Sequence, residues 1–264
     1  QPFFLNYSPY AVHTPIQPVT SLLDKYLGKS ASNGQNDAKY ATMVENLDRN
    51  IGRLIDLLQE KQLLDNTFIL FVTDNGGLFK VTKQRPLRAG KGSYYEGGIR
   101  IPAFAVWPGK IRPGQVCEVP ITNLDIFPTL LELTGIKQPK NKNLDGISLI
   151  PLLTENKNLP ERPLFWHFPI YLEGGNAESQ DPIFRTRPGS AVRYGDWKLI
   201  QYFENEDLEL YNLKEDISES NNLVNKRPDK AKELLTLLEN WREKTKAPLP
   251  KTLNPEFIAK KRSN

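Results

Sequence analysis

Asp74 and Asn75 stand side by side, followed by Gly76 and Gly77 and preceded by the apolar run Thr-Phe-Ile-Leu-Phe-Val-Thr at residues 67 to 73. Two hard oxygen donors therefore sit at the end of a strand-like segment. In open parallel sheets, ligands bind just beyond the carboxyl ends of strands, and such donors suit Ca²⁺ or Mg²⁺ better than zinc. The same Asn-Gly pair is also the commonest signal for a tight hairpin, so these residues alone leave both readings open. Lys91 lies between Gly90 and Gly92, where the backbone can approach a small anion closely. His13, one of two histidines, follows an apolar segment in His-Thr-Pro and reads either as a proton donor or as a structural group. Arg88 could reach a substrate or a neighbouring carboxylate. His167, in Leu-Phe-Trp-His-Phe-Pro, is either packed among aromatics or lines a substrate wall. Trp166, Tyr171, Arg193 and Trp197 are further candidates for a sugar-binding or aryl-binding wall, although aromatics at these spacings are more often core. Glu96 and Arg100 are four residues apart and read as a structural ion pair.

The elements that must hold these groups are visible in the periodicity. Residues 37 to 61 carry Val44, Leu47, Ile51, Leu54, Ile55 and Leu58 at helical spacing with charged residues between them, which predicts a one-sided helix. It feeds into the run at 67 to 73, continuously apolar as in a strand covered on both faces. A helix leading into a buried strand predicts an α/β fold with part of a doubly wound mixed sheet. Residues 101 to 107 read as another strand, and 123 to 135 as a short helix stopped by Gly135. Beyond the polar connector near 137 come short strands at 164–168, 190–193, 198–203 and 209–213, the middle two joined by Tyr194-Gly-Asp-Trp. They predict a small α+β subdomain with an antiparallel sheet and a C-terminal helix after Pro228, with Ala231, Leu234, Leu235, Leu238 and Trp241 on one face. The expected organisation is thus 1–136 as an α/β domain, 137–246 as the subdomain and 247–264 as an extended tail.

Composition narrows the function classes. The 264 residues carry a net charge of +4 spread along the chain, which does not indicate nucleic-acid binding and is compatible with an anionic substrate. The single cysteine excludes an internal disulfide framework. The longest apolar runs are too short for a membrane span.

Phe3-Phe-Leu-Asn-Tyr-Ser-Pro-Tyr-Ala-Val-His13-Thr-Pro, then Thr73-Asp-Asn-Gly, then Gly90-Lys-Gly-Ser-Tyr-Tyr-Glu-Gly-Gly-Ile-Arg100, with a long helix between the first two, resemble the C-terminal half of a type I sulfatase of the alkaline-phosphatase superfamily. The resemblance runs from residue 1 to about 225. It implies that Asp74 and Asn75 are metal ligands, usually for Ca²⁺ and less often Mg²⁺. It implies that Lys91 contacts the sulfate and leaving-group oxygens and that His13 protonates or positions the leaving group. Arg88 and His167 are weaker candidates for substrate contact. The family's Cys/Ser-x-Pro-x-Arg motif, whose first residue becomes formylglycine, does not occur. Cys117, in Gly-Gln-Val-Cys-Glu-Val-Pro, is not that residue. The chain opens at Gln1 and runs straight into strand-like residues, so we expect a fragment, a processed chain or one piece of a longer polypeptide. The formylglycine and the other metal ligands are expected in the missing N-terminal half of the same domain, and this chain alone is expected to be inactive. The implied substrate is a small-molecule or carbohydrate sulfate ester, and the implied location is periplasmic, secreted or lysosomal. A phosphodiesterase or phosphonate hydrolase of the same superfamily is the alternative enzyme, though such sites normally use several histidines. A non-catalytic binding protein lacking the nucleophile is the alternative outside enzymes.

Overall fold

The computed structural model describes residues 1–252, 254 and 255. In chain order it contains α1 (Thr20–Leu27), α2 (Ala38–Glu60), β1 (Ile69–Val72), α3 (Glu96–Ile99), β2 (Ala103–Val106), α4 (Ile126–Thr134) and α5 (Ile150–Glu155). There follow β3 (Leu164–Phe168), β4 (Leu172–Glu173), β5 (Phe184–Thr186), β6 (Gly189–Tyr194), β7 (Trp197–Tyr202), β8 (Leu208–Asn212) and α6 (Pro228–Thr245). Local signals account for several helix boundaries. Asp37 caps α2 by accepting a hydrogen bond from the Tyr40 amide at 2.9 Å. Asp125 accepts from the Thr122 amide at 2.9 Å in a capping box that leads into α4, and Gly135, at φ 68°, ends that helix. Pro228 opens α6, where its missing N–H is no loss.

The chain divides into two units. The first comprises residues 1–71, 80–83 and 104–115. Here α1 lies against α2, tied by the Val19 amide donating to Thr42 Oγ1 at 2.9 Å and by Lys25 and Tyr26 converging on Glu45. Strands β1 and β2 pair in a two-stranded sheet, with Phe71 stacked on Phe104 at 4.7 Å between ring centroids. The expected strand-like character of Phe3-Phe-Leu is not realised: these residues have no strand assignment, and Phe4 is 76% exposed.

The second unit comprises residues 72–79, 84–103 and everything from Val116 onward. Its centre is the antiparallel sheet β3-β6-β7-β8. Register assigns the two faces. Phe165, Val192, Leu199 and Leu210 align across the strands and meet Leu234 and Leu238 of α6. One residue along, Trp166, Ala191 and Ile200 align on the other face, where they pack with Ala89, Tyr94 and Tyr95. The sheet is thus covered on both sides, on one by a helix and on the other by the loop that contains Lys91. The segment 247–264, expected as an extended tail, lies partly outside the described residues, at 253 and 256–264.

Candidate functional site

The Asn-Gly pair is not a hairpin turn, because β1 pairs with β2 rather than with a strand starting directly after Gly77. Two glycine-rich segments instead meet backbone to backbone. The Gly76 amide donates to Gly98 O at 2.9 Å, and the Lys91 amide donates to Gly77 O at 2.9 Å. A Cβ on Gly76 would lie 1.8 Å from Gly97 O, and one on Gly97 would lie 2.2 Å from Arg88 O, so only glycine permits this contact. The Asp74-Asn75 corner and the Lys91 loop are therefore one object.

The oxygen donors of that corner are presented outward. The Asp74 side chain is exposed and makes no hydrogen bond or ion pair with any described residue. Asn75 donates from Nδ2 to Gly76 O at 3.0 Å, which fixes the amide and leaves Oδ1 as its acceptor end. Among the described residues no group of three or more His, Cys, Asp or Glu side chains could hold a metal. The pair Asp74 and Asn75 thus offers two hard oxygen donors, part of a coordination set.

The Lys91 loop is held from behind by buried polar groups. Tyr94 donates its hydroxyl to Gly189 O at 2.8 Å and Phe168 O at 3.1 Å, and Tyr95 donates to Glu209 Oε2 at 2.7 Å. Glu96 pairs with Lys198 Nζ at 2.9 Å, while the expected Arg100 partner is farther, at 3.8 Å. Lys198 also meets Glu219 at 2.5 Å, and Glu219 Oε2 accepts the Glu96 amide at 2.6 Å. Both pairs are inaccessible to solvent. Burial pushes the Glu96 carboxyl up, but the charges of Lys198, Arg193 and Arg100 outweigh it and hold it below its ordinary value. Burial prevails at Glu219, which is raised. Removing one partner of such a buried pair costs about 3–5 kcal/mol, because the remaining charge is left uncompensated. Sequence reasoning missed Lys198 and Glu219. The available signal was a lysine in register with Ile200 and Tyr202 on an otherwise apolar strand face, a position a charge occupies only when paired.

Arg88 belongs to this support. Its guanidinium lies 3.8 Å over the Tyr95 ring, Nε donates to Glu178 O at 3.0 Å, and Nη1 donates to Glu219 O at 3.0 Å and Tyr211 Oη at 3.3 Å. Trp166 packs into the core beneath the loop, and Arg193 stands 3.8 Å from Glu96.

His167 lies on the opposite face of the sheet. It shares that face with Phe165, near Trp241, and its Nε2 is 2.8 Å from Pro248 O and its Nδ1 2.7 Å from Ser190 Oγ. A carbonyl only accepts, so Nε2 carries the proton and the Ser190 hydroxyl donates to Nδ1. Burial lowers the pKa of this ring. The packed-histidine alternative describes it, and the sheet separates it from the Lys91 loop.

His13, in the first unit, sits on a turn closed by its own amide to Tyr10 O at 3.0 Å, with the Tyr10 ring tilted against the imidazole at 5.2 Å. Nδ1 is 2.8 Å from Thr14 O and must donate there.

Residues 1–136 match the family described as Sulfatase, and residues 90–246 match the one described as N-sulphoglucosamine sulphohydrolase, C-terminal. A protein named Sulfatase from Formosa agariphila is 34% identical over 271 residues, which cover 94% of this chain and 47% of that relative. The N-acetylgalactosamine-6-sulfatase of Homo sapiens is 34% identical over 171 residues, covering 63% of this chain and 31% of its own length. Among solved structures, that of Ps i-CgsB in complex with k-i-k-neocarrahexaose aligns with a TM-score of 0.74 at 29% identity, over 88% of this chain and 48% of that one. The chain spans about half or less of the length of these relatives.

Proposed function

Because the chain belongs to the sulfatase family, we propose that the full-length protein hydrolyses sulfate esters, with carbohydrate sulfates as its substrates, and that this chain supplies part of the metal and sulfate site. The observation that carries the proposal is the fusion of the Asp74-Asn75 corner with the glycine-flanked Lys91 through the Gly76 and Lys91 backbone bonds. The relatives named above support the substrate class: one is an N-acetylgalactosamine-6-sulfatase, and one was solved with k-i-k-neocarrahexaose. Neither favours the phosphodiesterase or phosphonate hydrolase alternative. An N-terminal half with the formylglycine nucleophile and the remaining ligands, and a periplasmic, secreted or lysosomal location, complete the proposal. Among the described residues no helix is long and apolar enough to cross a membrane.

The reaction divides the ester R–O–SO₃⁻ with water into the alcohol ROH and hydrogen sulfate. Negative charge develops on the departing oxygen while the sulfuryl oxygens keep theirs, so fixed positive charge and a proton source are what the site must provide. Lys91 supplies the first, its backbone anchored by the hydrogen bond its amide N–H donates to Gly77 O. His13 supplies the second through Nε2, the ring being oriented by Nδ1–H on Thr14 O. Asp74 and Asn75 fit a hard divalent cation by donor type, and Ca²⁺, when bound, would neutralise charge on the sulfuryl oxygens.

The test is metal content together with sulfate release. In the full-length protein, Asp74→Ala combined with Asn75→Ala should abolish both bound calcium and turnover while leaving the circular dichroism spectrum unchanged, since Asp74 is exposed beyond a strand end. Wild-type calcium content in the folded variant would remove these residues from the metal site.

A further inference from the structure

Hairpin β4–β5 carries an irregularity with a purpose. Leu172 pairs with Thr186 and Glu173 pairs with Phe184, so Arg185 is the extra residue of a bulge. Bulges re-aim a side chain, and they are over-represented next to active sites. The hairpin also sits directly on the Lys91 loop: a Cβ on Gly92, the residue after Lys91, would lie 2.4 Å from Leu172 Cδ2 and 3.4 Å from Arg185 Cδ. The stem of Arg185 therefore passes beside the segment that holds the sulfate-binding lysine.

The guanidinium is oriented but not neutralised. Its Nε donates to Glu173 O at 2.8 Å, and its plane lies over Gly174, a glycine at φ 83° that leaves room for it. Among the described residues its Nη1 and Nη2 have no hydrogen-bond or ion-pair partner. Two parallel N–H donors on a fixed plane match the oxygens of a sulfate or carboxylate. The flanking residues suit a sugar ring: Tyr171 and Phe184 pack at 4.8 Å between centroids, and Ile170 and Ile183 are 57% and 61% exposed.

We propose that the bulged hairpin is a subsite for a second anionic group, a sulfate or carboxylate on the same oligosaccharide, which Arg185 holds beside the Lys91 loop while Lys91 engages the sulfate to be removed. The protein then prefers polyanionic glycans over singly sulfated ones. This rests on the sulfate-ester reading above, and the experiment keeps the two apart.

Sulfate release by the full-length protein is measured on a disulfated and a monosulfated oligosaccharide of one backbone, for wild type, Arg185→Gln and Arg185→Lys. The expected result is that Arg185→Gln raises KM for the disulfated substrate about tenfold more than for the monosulfated one, by loss of a charge-assisted contact, with Arg185→Lys between the two. Equal losses on both substrates, or none on either, would overturn the subsite. If the wild type cleaves neither oligosaccharide, the hydrolase reading fails. Calorimetric binding then decides the subsite: about tenfold weaker binding of the disulfated oligosaccharide to Arg185→Gln supports it, and unchanged affinity overturns it.

Discussion

Two residues are assigned opposite kinds of electrostatic work, and their substitution separates them. If Lys91 stabilises charge on every substrate, as proposed, Lys91→Ala in the full-length protein should lower kcat by roughly a hundredfold or more, whatever the leaving group. An unchanged kcat on any sulfate ester would remove it from the site. On the same proposal His13 would matter only where the departing oxygen needs a proton. His13→Ala should therefore be severe on sugar sulfates, whose alkoxides are strongly basic, and mild on nitrophenyl sulfate, whose phenoxide leaves unaided. Equal losses on the two substrates with a lowered melting temperature would make His13 a scaffold residue. Residue types and motif order are what nominate these two groups. What they do not reveal is which arginine supports and which one faces outward. Arg88, a sequence candidate for substrate contact, has its Nε and Nη1 bonded to Glu178, Tyr211 and Glu219, whereas Arg185 carries no sequence signal. Those partners lie up to 131 positions away along the chain, and no local pattern encodes them.

Among the elements, legibility follows periodicity. Helix α2, strands β3 and β6 to β8, and α6 appear close to where apolar spacing puts them; the sheet strands and α6 bury a regular face, whereas the apolar stripe of α2 stays half-buried, with Val44 exposed. Helices α1 and α5 and hairpin β4–β5 are not evident in the sequence, each being too short to show a repeat. The junction between the two glycine-rich segments is legible only as composition, since nothing local says that Gly76 touches Gly97. That contact makes glycine positions unequal. Gly76→Ala would thrust a methyl group to 1.8 Å from Gly97 O, and it should lower stability by roughly 1–3 kcal/mol or more as the backbone shifts to admit it. Gly52, inside α2 with nothing within 4 Å of where a methyl group would stand, should behave oppositely, Gly52→Ala adding about 0.5–1 kcal/mol of helix stability. Thermal melts of the two variants check both signs, and a neutral Gly76→Ala would refute the tight junction.

For the molecule as a whole, acid should weaken the packing around His167, because the added proton goes to Nδ1, the nitrogen that accepts from Ser190 Oγ. Burial lowers the pKa of His167, so the folded chain binds fewer protons than the unfolded chain as pH falls through the ordinary histidine range near ~6.5. Stability therefore declines as pH drops through that window and stops declining below the folded-state value. Melting temperatures at about pH 7.5 and about pH 5.5 should fall further for wild type than for His167→Gln; identical falls would show that this ring does not contribute. Time is a second stress. An Asn-Gly bond ages when the glycine amide nitrogen attacks the asparagine side-chain carbonyl, closing a succinimide and expelling ammonia. At Asn75 that nitrogen already donates to Gly98 O at 2.9 Å, and swinging it onto the side chain would require the two glycine segments to part. The same backbone bond that joins the site's two halves thereby protects its carboxamide from becoming a carboxylate, and the chemical shelf life of Asn75 is set by how often that junction opens.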